Sequence, residues 1–419
     1  MILIPTTGLG GELQSLIEKA LSNSPKIEQA TRQLKASDYE LKKAYGNYLP
    51  TVKFTYSYTD LSEVPSYTME LPGAPLPPTS FQLFKRKFYK SELSLEAPLF
   101  TGGRVLNLIR VKKEKKEAYR LYLQEVRNLV AEQVKEDYYR VLEAKALVKT
   151  AESSLKSARE HYRVVKAFFD EGIVPRRDLL EAEVKVSQAE ERLKEAEGNY
   201  RVALEKLRVD SGVFDFNPSG DLSMRVKKRR FSLEKLVEKA LKERPAVREM
   251  EHLLKASEKG VSLAESQFLP QAFVRLGYSR TDQYPLNGNF SNRSATLGIE
   301  VPIFEGSRRF WEVKRAREET LKVKARLEEV KREVRLQVVS AYTRLETAFK
   351  RIEVARKRVE EARELLRDSK ERYREHVGTS TEVVDAIAYL TGAKASLVRA
   401  VADYYTALSR LEYAVGGKP

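Results

Sequence analysis

The sequence holds few residues whose types and spacing suit catalysis or metal binding. It has no Cys, and its three histidines, His161, His252 and His376, are too far apart to indicate a metal centre. It also lacks a glycine-rich phosphate loop. We therefore expect no enzyme activity, no cofactor and no metal site.

Glu382 and Asp385 form the clearest polar pair. They lie three positions apart within a helical pattern, so both carboxylates should share one face of a helix. Such a pair could attract cations, or it could simply belong to a solvated helix surface. The choice depends on the elements that position the pair.

The chain carries a basic excess of 16 charges over 419 residues. Such an excess can indicate binding to nucleic acid or to an anionic membrane surface. Here the basic residues alternate with Glu along helical patterns, as at 112–117 and 356–364. This mixture is typical of solvated helix faces, and we expect no nucleic-acid partner.

A heptad seam of Leu and Ala organises the first half of the chain. Apolar or small residues recur in alternating steps of three and four, which predicts a long helix packed closely against a partner. The seam positions are Leu179, Ala182, Val186, Ala189, Leu193, Ala196, Tyr200, Ala203 and Leu207. Each has a counterpart 204 residues later, with Ala in the same register, so the chain is a duplication. Alone, the seam is also typical of an ordinary antiparallel coiled coil.

Each half also contains two segments that alternate between apolar and polar residues. The first alternates Val52, Phe54 and two tyrosines with Thr, Ser and Lys, which predicts a strand with one apolar and one polar face. The proline-rich stretch 61–86 lacks a period and predicts a loop.

These patterns divide the chain into two structural repeats joined by a linker. The first repeat covers 11–211, with strands at about 51–60 and 87–97 and a long helical hairpin at about 103–210. The linker covers 212–230. The second repeat covers 231–415, with strands at about 271–280 and 293–301 and a hairpin at about 306–414. We expect a mainly α fold with a β part, built from a duplicated helix–strand–strand–long helical hairpin unit.

The four predicted strands cannot close a barrel and would leave two exposed edges, which are prone to aggregation. Three copies would supply twelve strands, with aromatic and aliphatic faces towards lipid and Thr, Ser and Glu faces towards a wet lumen. Strands of about ten residues suit a bilayer crossing. The alternative is a small soluble sheet with one buried face, which leaves two helices of roughly 100 Å unexplained.

Neither a signal peptide nor an apolar run long enough for a transmembrane helix is visible. The first ten residues have a short apolar patch but no basic start and no full apolar core. Either the protein is cytosolic or the sequence begins near a mature terminus.

The order of the elements resembles that of TolC-type outer-membrane efflux proteins. The similarity lies in Leu-Pro before the first strand of each half, at 49–50 and 269–270, and in Pro-x-Phe-x-Gly after the second, at 98–102 and 302–306. It covers about 11–415. The resemblance implies a homotrimer whose twelve-stranded β-barrel sits in the outer-membrane lipid. An α-helical barrel continues it through the periplasm and closes like an iris at the hairpin tips.

Proteins of this kind are passive exit ducts of tripartite efflux or type I secretion systems. The resemblance therefore implies two partners, a periplasmic adaptor (membrane fusion) protein and an inner-membrane pump. Multidrug export and protein secretion share this duct, so the cargo stays open. The small numbers of Met and His disfavour copper or silver export.

The resemblance also implies a gate at the hairpin tips. Asp178 matches an acidic residue that pairs with a tyrosine in the family, and Tyr373 matches that tyrosine. Glu382 and Asp385 match a ring of acidic residues at the entrance. Three-fold symmetry would gather six carboxylates there and favour cations.

The tip residues Gly172, Ile173, Val377, Gly378 and Thr379 match the region where the family contacts its adaptor. The alternative is a plain helix–turn–helix, in which Gly relieves strain at positive φ.

The tips also depart from the family pattern. Gly378 replaces an arginine of the best-known members, and His376 replaces the usual turn glycine. Arg176 or Arg177 is the candidate substitute for that arginine.

A second hypothesis stands beside the duct. The chain could be a soluble coiled-coil scaffold that binds an anionic membrane surface or nucleic acid. Such a scaffold has no need for four alternating strands.

Overall fold

The computed structural model describes residues 9–69, 79–285 and 288–418. They fall into two compact units. The first unit comprises the described parts of Met1–Leu34, Tyr119–Met250 and Leu327–Pro419, and the second comprises those of Lys35–Ala118 and Glu251–Arg326.

Both halves of the chain share one order of elements, to which the first half adds two short strands. The first half consists of helices α1 (Leu9–Asn23) and α2 (Pro25–Gly46), strands β1 (Thr51–Asp60), β2 (Ser66–Met69), β3 (Thr79–Gln82) and β4 (Lys87–Phe100), and helices α3 (Arg104–Asp170) and α4 (Arg176–Ser211). The second half consists of helices α5 (Leu233–Glu243) and α6 (Pro245–Glu265), strands β5 (Gln271–Thr281) and β6 (Phe290–Glu300), and helices α7 (Arg308–Arg374) and α8 (Ser380–Val415). The predicted fold class, mainly helical with a doubled layout and a β part, is confirmed.

Proline and glycine set the boundaries of these elements. Pro25 and Pro245 begin the second helix of each half, since proline lacks the N–H needed inside a helix but fits its first turn. Gly102 precedes α3 with φ +60°, and a Cβ there would lie 2.7 Å from the Cβ of Leu269. Only glycine fits so close an approach.

Small residues on facing helices contribute to the core of the first unit, together with larger side chains such as Tyr138 and Leu207. Ala182 and Ala189 of α4 and Ala386 and Ala400 of α8 are buried, as the heptad seam predicts. Short side chains let neighbouring helix backbones approach closely. No helix in the described ranges combines the length and apolar character needed to cross a bilayer.

The second unit contains a four-stranded antiparallel sheet in the order β1-β4-β5-β6. Its register places apolar residues opposite one another on one face, as in the row Val52, Leu95, Leu276 and Ala295. The other face is largely polar, and there Arg275 pairs with Glu96 at 2.7 Å and lies over the ring of Phe273. The predicted alternation is therefore continuous across all four strands.

The predicted loop over 61–86 is wrong in part. β2 and β3 form a short antiparallel hairpin in which Tyr67 lies opposite Phe81. The sequence obscures this hairpin because five prolines surround its short strands, four of them at 72–78. Residues 70–78 lie outside the described part of the chain.

Candidate gate at the hairpin ends

Both long hairpins turn through the same backbone motif. The N–H groups of Gly172 and Ile173 donate to the carbonyls of Phe169 and Phe168, at 2.9 and 2.8 Å. In the second hairpin, the N–H groups of His376 and Val377 donate to the carbonyls of Tyr373 and Arg372, at 3.2 and 3.0 Å. These are Schellman caps, which satisfy the last carbonyls of a helix.

The left-handed position of each cap differs in residue type. Gly172 occupies it in the first turn, with φ +73°, and His376 occupies it in the second, with φ +62°. A residue with a Cβ pays roughly 1–2 kcal/mol for this conformation. The second turn is therefore the more strained of the two.

Gly378 serves a different purpose from Gly172, because its φ is not positive. A Cβ at Gly378 would lie 3.0 Å from the Cβ of Arg372 and 3.2 Å from the backbone N of Tyr373. The residue is a point of close approach between the turn and α7. The side chain of neighbouring Thr379 caps α8 by accepting a hydrogen bond from the N–H of Glu382 at 3.2 Å.

Tyr373 lies inside an apolar cluster formed by all four long helices. This hairpin-end cluster consists of Val165, Ala182, Leu366, Tyr373, Val383, Ala386 and Ile387. Tyr373 is only 5% exposed, and its hydroxyl has no hydrogen-bond partner among the described residues. An unpaired buried hydroxyl costs about 1–3 kcal/mol.

Asp178 lies close enough to act on Tyr373 but does not bond to it. Burial, and next the negative charge of Asp178, raise the pKa of Tyr373, and the nearby Ser380 side chain acts in the opposite direction. The Asp178 carboxylate instead lies 3.4 Å from the Nε of exposed Arg177. Within one chain, the expected carboxylate–tyrosine bond is not formed between described residues.

His161 and Ser380 form a buried polar contact that the sequence analysis missed. The Nε2 of His161 lies 2.9 Å from the Ser380 hydroxyl, and the His161 ring packs on Tyr373 at a centroid distance of 5.2 Å. Burial lowers the pKa of His161 to about 4, and the positive charge of Lys370 acts in the same direction. Helical spacing could have indicated that His161 is buried. It lies three residues after Ala158 and four before Val165, and both of these are on the buried stripe of α3.

Glu382 and Asp385 lie on the exposed face of the first turns of α8. Neither forms a salt bridge with any residue in the described ranges. Their shared helix face agrees with the spacing, and their accessible carboxylates could meet a cation. Glu382 also lies in the first turn, where the helix dipole favours a negative charge.

Apolar side chains are exposed at the outermost points of both turns. Ile173 is 48% exposed and Val377 is 64% exposed. They follow the left-handed residue in each turn, so the two hairpin ends present similar apolar points.

A profile of the outer membrane efflux protein family matches residues 16–212 and 236–417. The fold is similar to that of CusC, solved in a study of folding and transmembrane channel formation, with a TM-score of 0.81 and 17% identity over 99% of this chain and 95% of that chain. It is also similar to VceC from Vibrio cholerae, with a TM-score of 0.79 and 15% identity over 97% of both chains. The CmeC channel of Campylobacter jejuni gives a TM-score of 0.79 and 15% identity over 97% of this chain and 86% of that chain. A search of curated proteins finds no match.

Proposed function

Because the chain belongs to the outer membrane efflux protein family, we propose that it is the passive exit duct of a tripartite export system. The resemblance inferred from the sequence is confirmed by the family profile and by the shared fold. The protein is located in the outer membrane and extends into the periplasm. Our proposal concerns how this protein assembles, how it is gated and what it exports.

The open four-stranded sheet supports assembly as a trimer. β1 and β6 each pair with one described strand, so both edges offer unpaired backbone groups. The four strands alternate in direction, so β6 of one copy can join β1 of the next in the same antiparallel manner. Three copies complete twelve strands with the apolar face outwards, which suits lipid.

Exposed side chains on the apolar face support contact with lipid. Phe54, Tyr56, Leu297 and Ile299 are all strongly exposed in the single chain. A soluble protein rarely exposes so large a contiguous apolar surface. In a trimeric barrel this surface meets hydrocarbon, and the opposite polar face lines the lumen.

The hairpin ends are proposed as the gate at the periplasmic entrance. The buried hydroxyl of Tyr373 supports this role, since it forms no hydrogen bond of good geometry with a described residue and lies near Asp178 and Ser380. Three copies of Glu382 and Asp385 would form a ring of six carboxylates around the entrance, which would favour cations.

The adaptor is proposed to bind the same ends. Exposed Ile173 and Val377, with Gly172, Gly378 and Thr379 shaping the turns, offer two similar apolar knobs on each chain. An inner-membrane pump completes the assembly. Efflux is favoured as the export role by the family, and type I secretion is the other role compatible with the same duct.

Disulfide trapping tests the trimer directly, because the chain has no Cys of its own. Ser57→Cys on the polar face of β1 is combined in turn with Asn292→Cys, Ser294→Cys or Thr296→Cys on the same face of β6. We expect one combination to give covalent dimers and trimers in native membranes, whereas each single variant gives none. Trapping in no combination would contradict the β6–β1 junction.

Purification and conductance test the duct itself. We expect a detergent-requiring species of three 48.0-kDa chains that conducts ions in a planar bilayer. A monodisperse monomer that needs no detergent and conducts nothing would contradict the duct and favour the soluble scaffold.

A further inference from the structure

A cavity in the first unit combines aromatic walls with unpaired cations. It has a volume of about 450 Å³ and lies between α3, α8 and the linker 212–230. Small-molecule sites in proteins usually measure about 300–1,000 Å³. The cavity is therefore large enough for a molecule of one or two rings.

The aromatic wall comes from the two halves of the duplication. The rings of Tyr139 on α3 and Tyr405 on α8 stack at a centroid distance of 4.9 Å and an angle of 14°. Tyr138, Leu142 and Leu222 supply further apolar surface. Flat apolar molecules pack well against such rings.

The linker wall has no regular secondary structure, yet it is fixed by side chains that bind its carbonyls. The hydroxyls of Tyr404 and Tyr405 donate to the carbonyls of Lys227 and Ser223, at 3.1 and 3.4 Å. Arg356 donates to the carbonyl of Met224 at 2.7 Å. The backbone of this wall therefore has a defined position, because side chains from three helical residues bind its carbonyls.

Three basic residues of the linker contribute to the lining of the cavity while remaining exposed to solvent: Arg225, Lys227 and Arg229. None forms a salt bridge with a residue in the described ranges, although Lys145 and Lys149 both reach Asp221 nearby. The positive charge of Arg229 opposes the burial that raises the pKa of Tyr139 and of Tyr404. The guanidinium of Arg229 is therefore close to the aromatic wall.

We infer that this cavity binds a small organic anion with a flat apolar body, such as an aryl carboxylate or aryl sulfonate. The rings of Tyr139 and Tyr405 hold the flat body, and the linker cations hold the acidic group. Guanidinium groups suit both the acidic group and the flat body of such a ligand. They form paired hydrogen bonds with carboxylate or sulfonate, and they stack on aromatic rings.

This site is independent of the proposed duct. Its residues all belong to the first unit, and none is a gate or hairpin-end residue. Binding can therefore be measured on the full-length protein without any assay of conductance or transport.

Calorimetry on the full-length protein in an uncharged detergent tests the inference. The probes are naphthalene-1-sulfonate and its neutral analogue naphthalene-1-sulfonamide. We expect one sulfonate per chain, bound at least about tenfold more tightly than the sulfonamide, which corresponds to roughly 1.4 kcal/mol. Equal affinities would show an apolar cavity without anion recognition and would overturn the inference, as would no binding of the sulfonate.

Matched variants separate the site from general charge effects. R225Q/K227Q/R229Q should weaken sulfonate binding at least about tenfold. The control K19Q/K156Q/R201Q removes the same charge from exposed positions outside the cavity and should change the affinity less than about twofold. An equal loss in both triples would contradict a defined site.

A steric variant and a polymer probe complete the test. Val226→Trp places a bulky ring on the linker wall of the cavity and should abolish sulfonate binding while all three cations remain. Poly-glutamate probes the alternative occupant, an anionic polymer bound along the exposed linker cations Arg225, Lys227 and Arg229. Sulfonate binding that survives Val226→Trp, or poly-glutamate binding without sulfonate binding, would overturn the inference.

Discussion

The Nε2 atom of His161 lies 2.9 Å from the hydroxyl oxygen of Ser380, and both residues are buried. The contact joins α3 of the first hairpin to the first residue of α8 in the second. It lies beside Tyr373, so one polar contact ties the two hairpins together next to the proposed gate.

Acid should loosen the hairpin ends through His161. The pKa of His161 is lowered from an ordinary value of 6.5 to about 4, so the folded state holds the neutral ring and the unfolded state binds the proton more readily. The contribution of the neutral His161 ring to the free energy of unfolding is thus complete above pH 6.5. It is lost as the pH drops towards 4, and the loss is at most roughly 3 kcal/mol. Hydrogen exchange of the hairpin-end amides between pH 7 and 4 measures the loss.

His161→Gln should reduce this pH dependence, because its amide can still bond to Ser380 and does not titrate. His252→Gln removes a histidine outside this contact and serves as the control. An unchanged pH profile in His161→Gln would rule out His161 as the cause.

Tyr373→Phe separates a structural from a gating role of the hydroxyl. Within one chain the hydroxyl is buried without a described partner, so its removal should leave the melting temperature unchanged or raise it slightly. If the hydroxyl instead bonds to a neighbouring copy in the closed gate, the same change should raise single-channel conductance several-fold. Unchanged conductance would remove Tyr373 from the gate.

Neutralising Glu382 and Asp385 together should weaken block of the channel by multivalent cations. Both carboxylates are exposed and lie on one helix face, so six would be lost from a trimer. The control variant is E360Q/E361Q, which removes the same charge from exposed positions on α7. Equal block of the E382Q/D385N channel and the unmodified channel would place the acidic constriction elsewhere.

Arg244 should be a strong stability determinant of the first unit. Its side chain is 4% exposed, pairs with Glu125 at 3.1 Å and lies over the ring of Tyr413 at 4.7 Å. Arg244→Met removes the positive partner of the buried Glu125 carboxylate and leaves the Tyr413 hydroxyl donating to it at 2.9 Å. Breaking a buried ion pair in this way typically costs about 3–5 kcal/mol. Thermal melting should show this as a large drop in melting temperature.

The double variant R244M/E125Q tests the cause of that loss. Removing the orphaned charge should restore a substantial part of the stability, because a neutral amide is cheaper to bury than a carboxylate. No recovery would assign the loss to the other contacts of Arg244 instead of to charge, namely its packing against Tyr413 and its hydrogen bonds to Gln337 and the Ala414 carbonyl.

The duplication made much of this fold predictable. Ala182 and Ala386 are buried at equivalent seam positions, and Val52 and Leu95 share the apolar face of the sheet, because heptad and two-residue periods report directly which side is covered. Gly172 was likewise recognisable as a turn residue from its type.

Contacts between distant segments were not predictable in the same way. His161 meets Ser380 across 219 positions, and no local pattern encodes that distance. The hydrogen bonds from Tyr404 and Tyr405 to the linker also join positions far apart in sequence, and they depend on backbone carbonyls that carry no residue-type signal. Such contacts emerge only once the helices have packed.

The two uncovered edges of the sheet also bear on how this protein is made. In the proposed trimer the strands that cover β1 and β6 come from other chains, because the four described strands of the sheet are too few to close on themselves. Completion of the sheet in that trimer is therefore an association step between chains, and its rate depends on their concentration. In that trimer, a newly synthesised chain that has not yet met its neighbours exposes two unpaired strand edges and an apolar sheet face, and both promote aggregation until assembly.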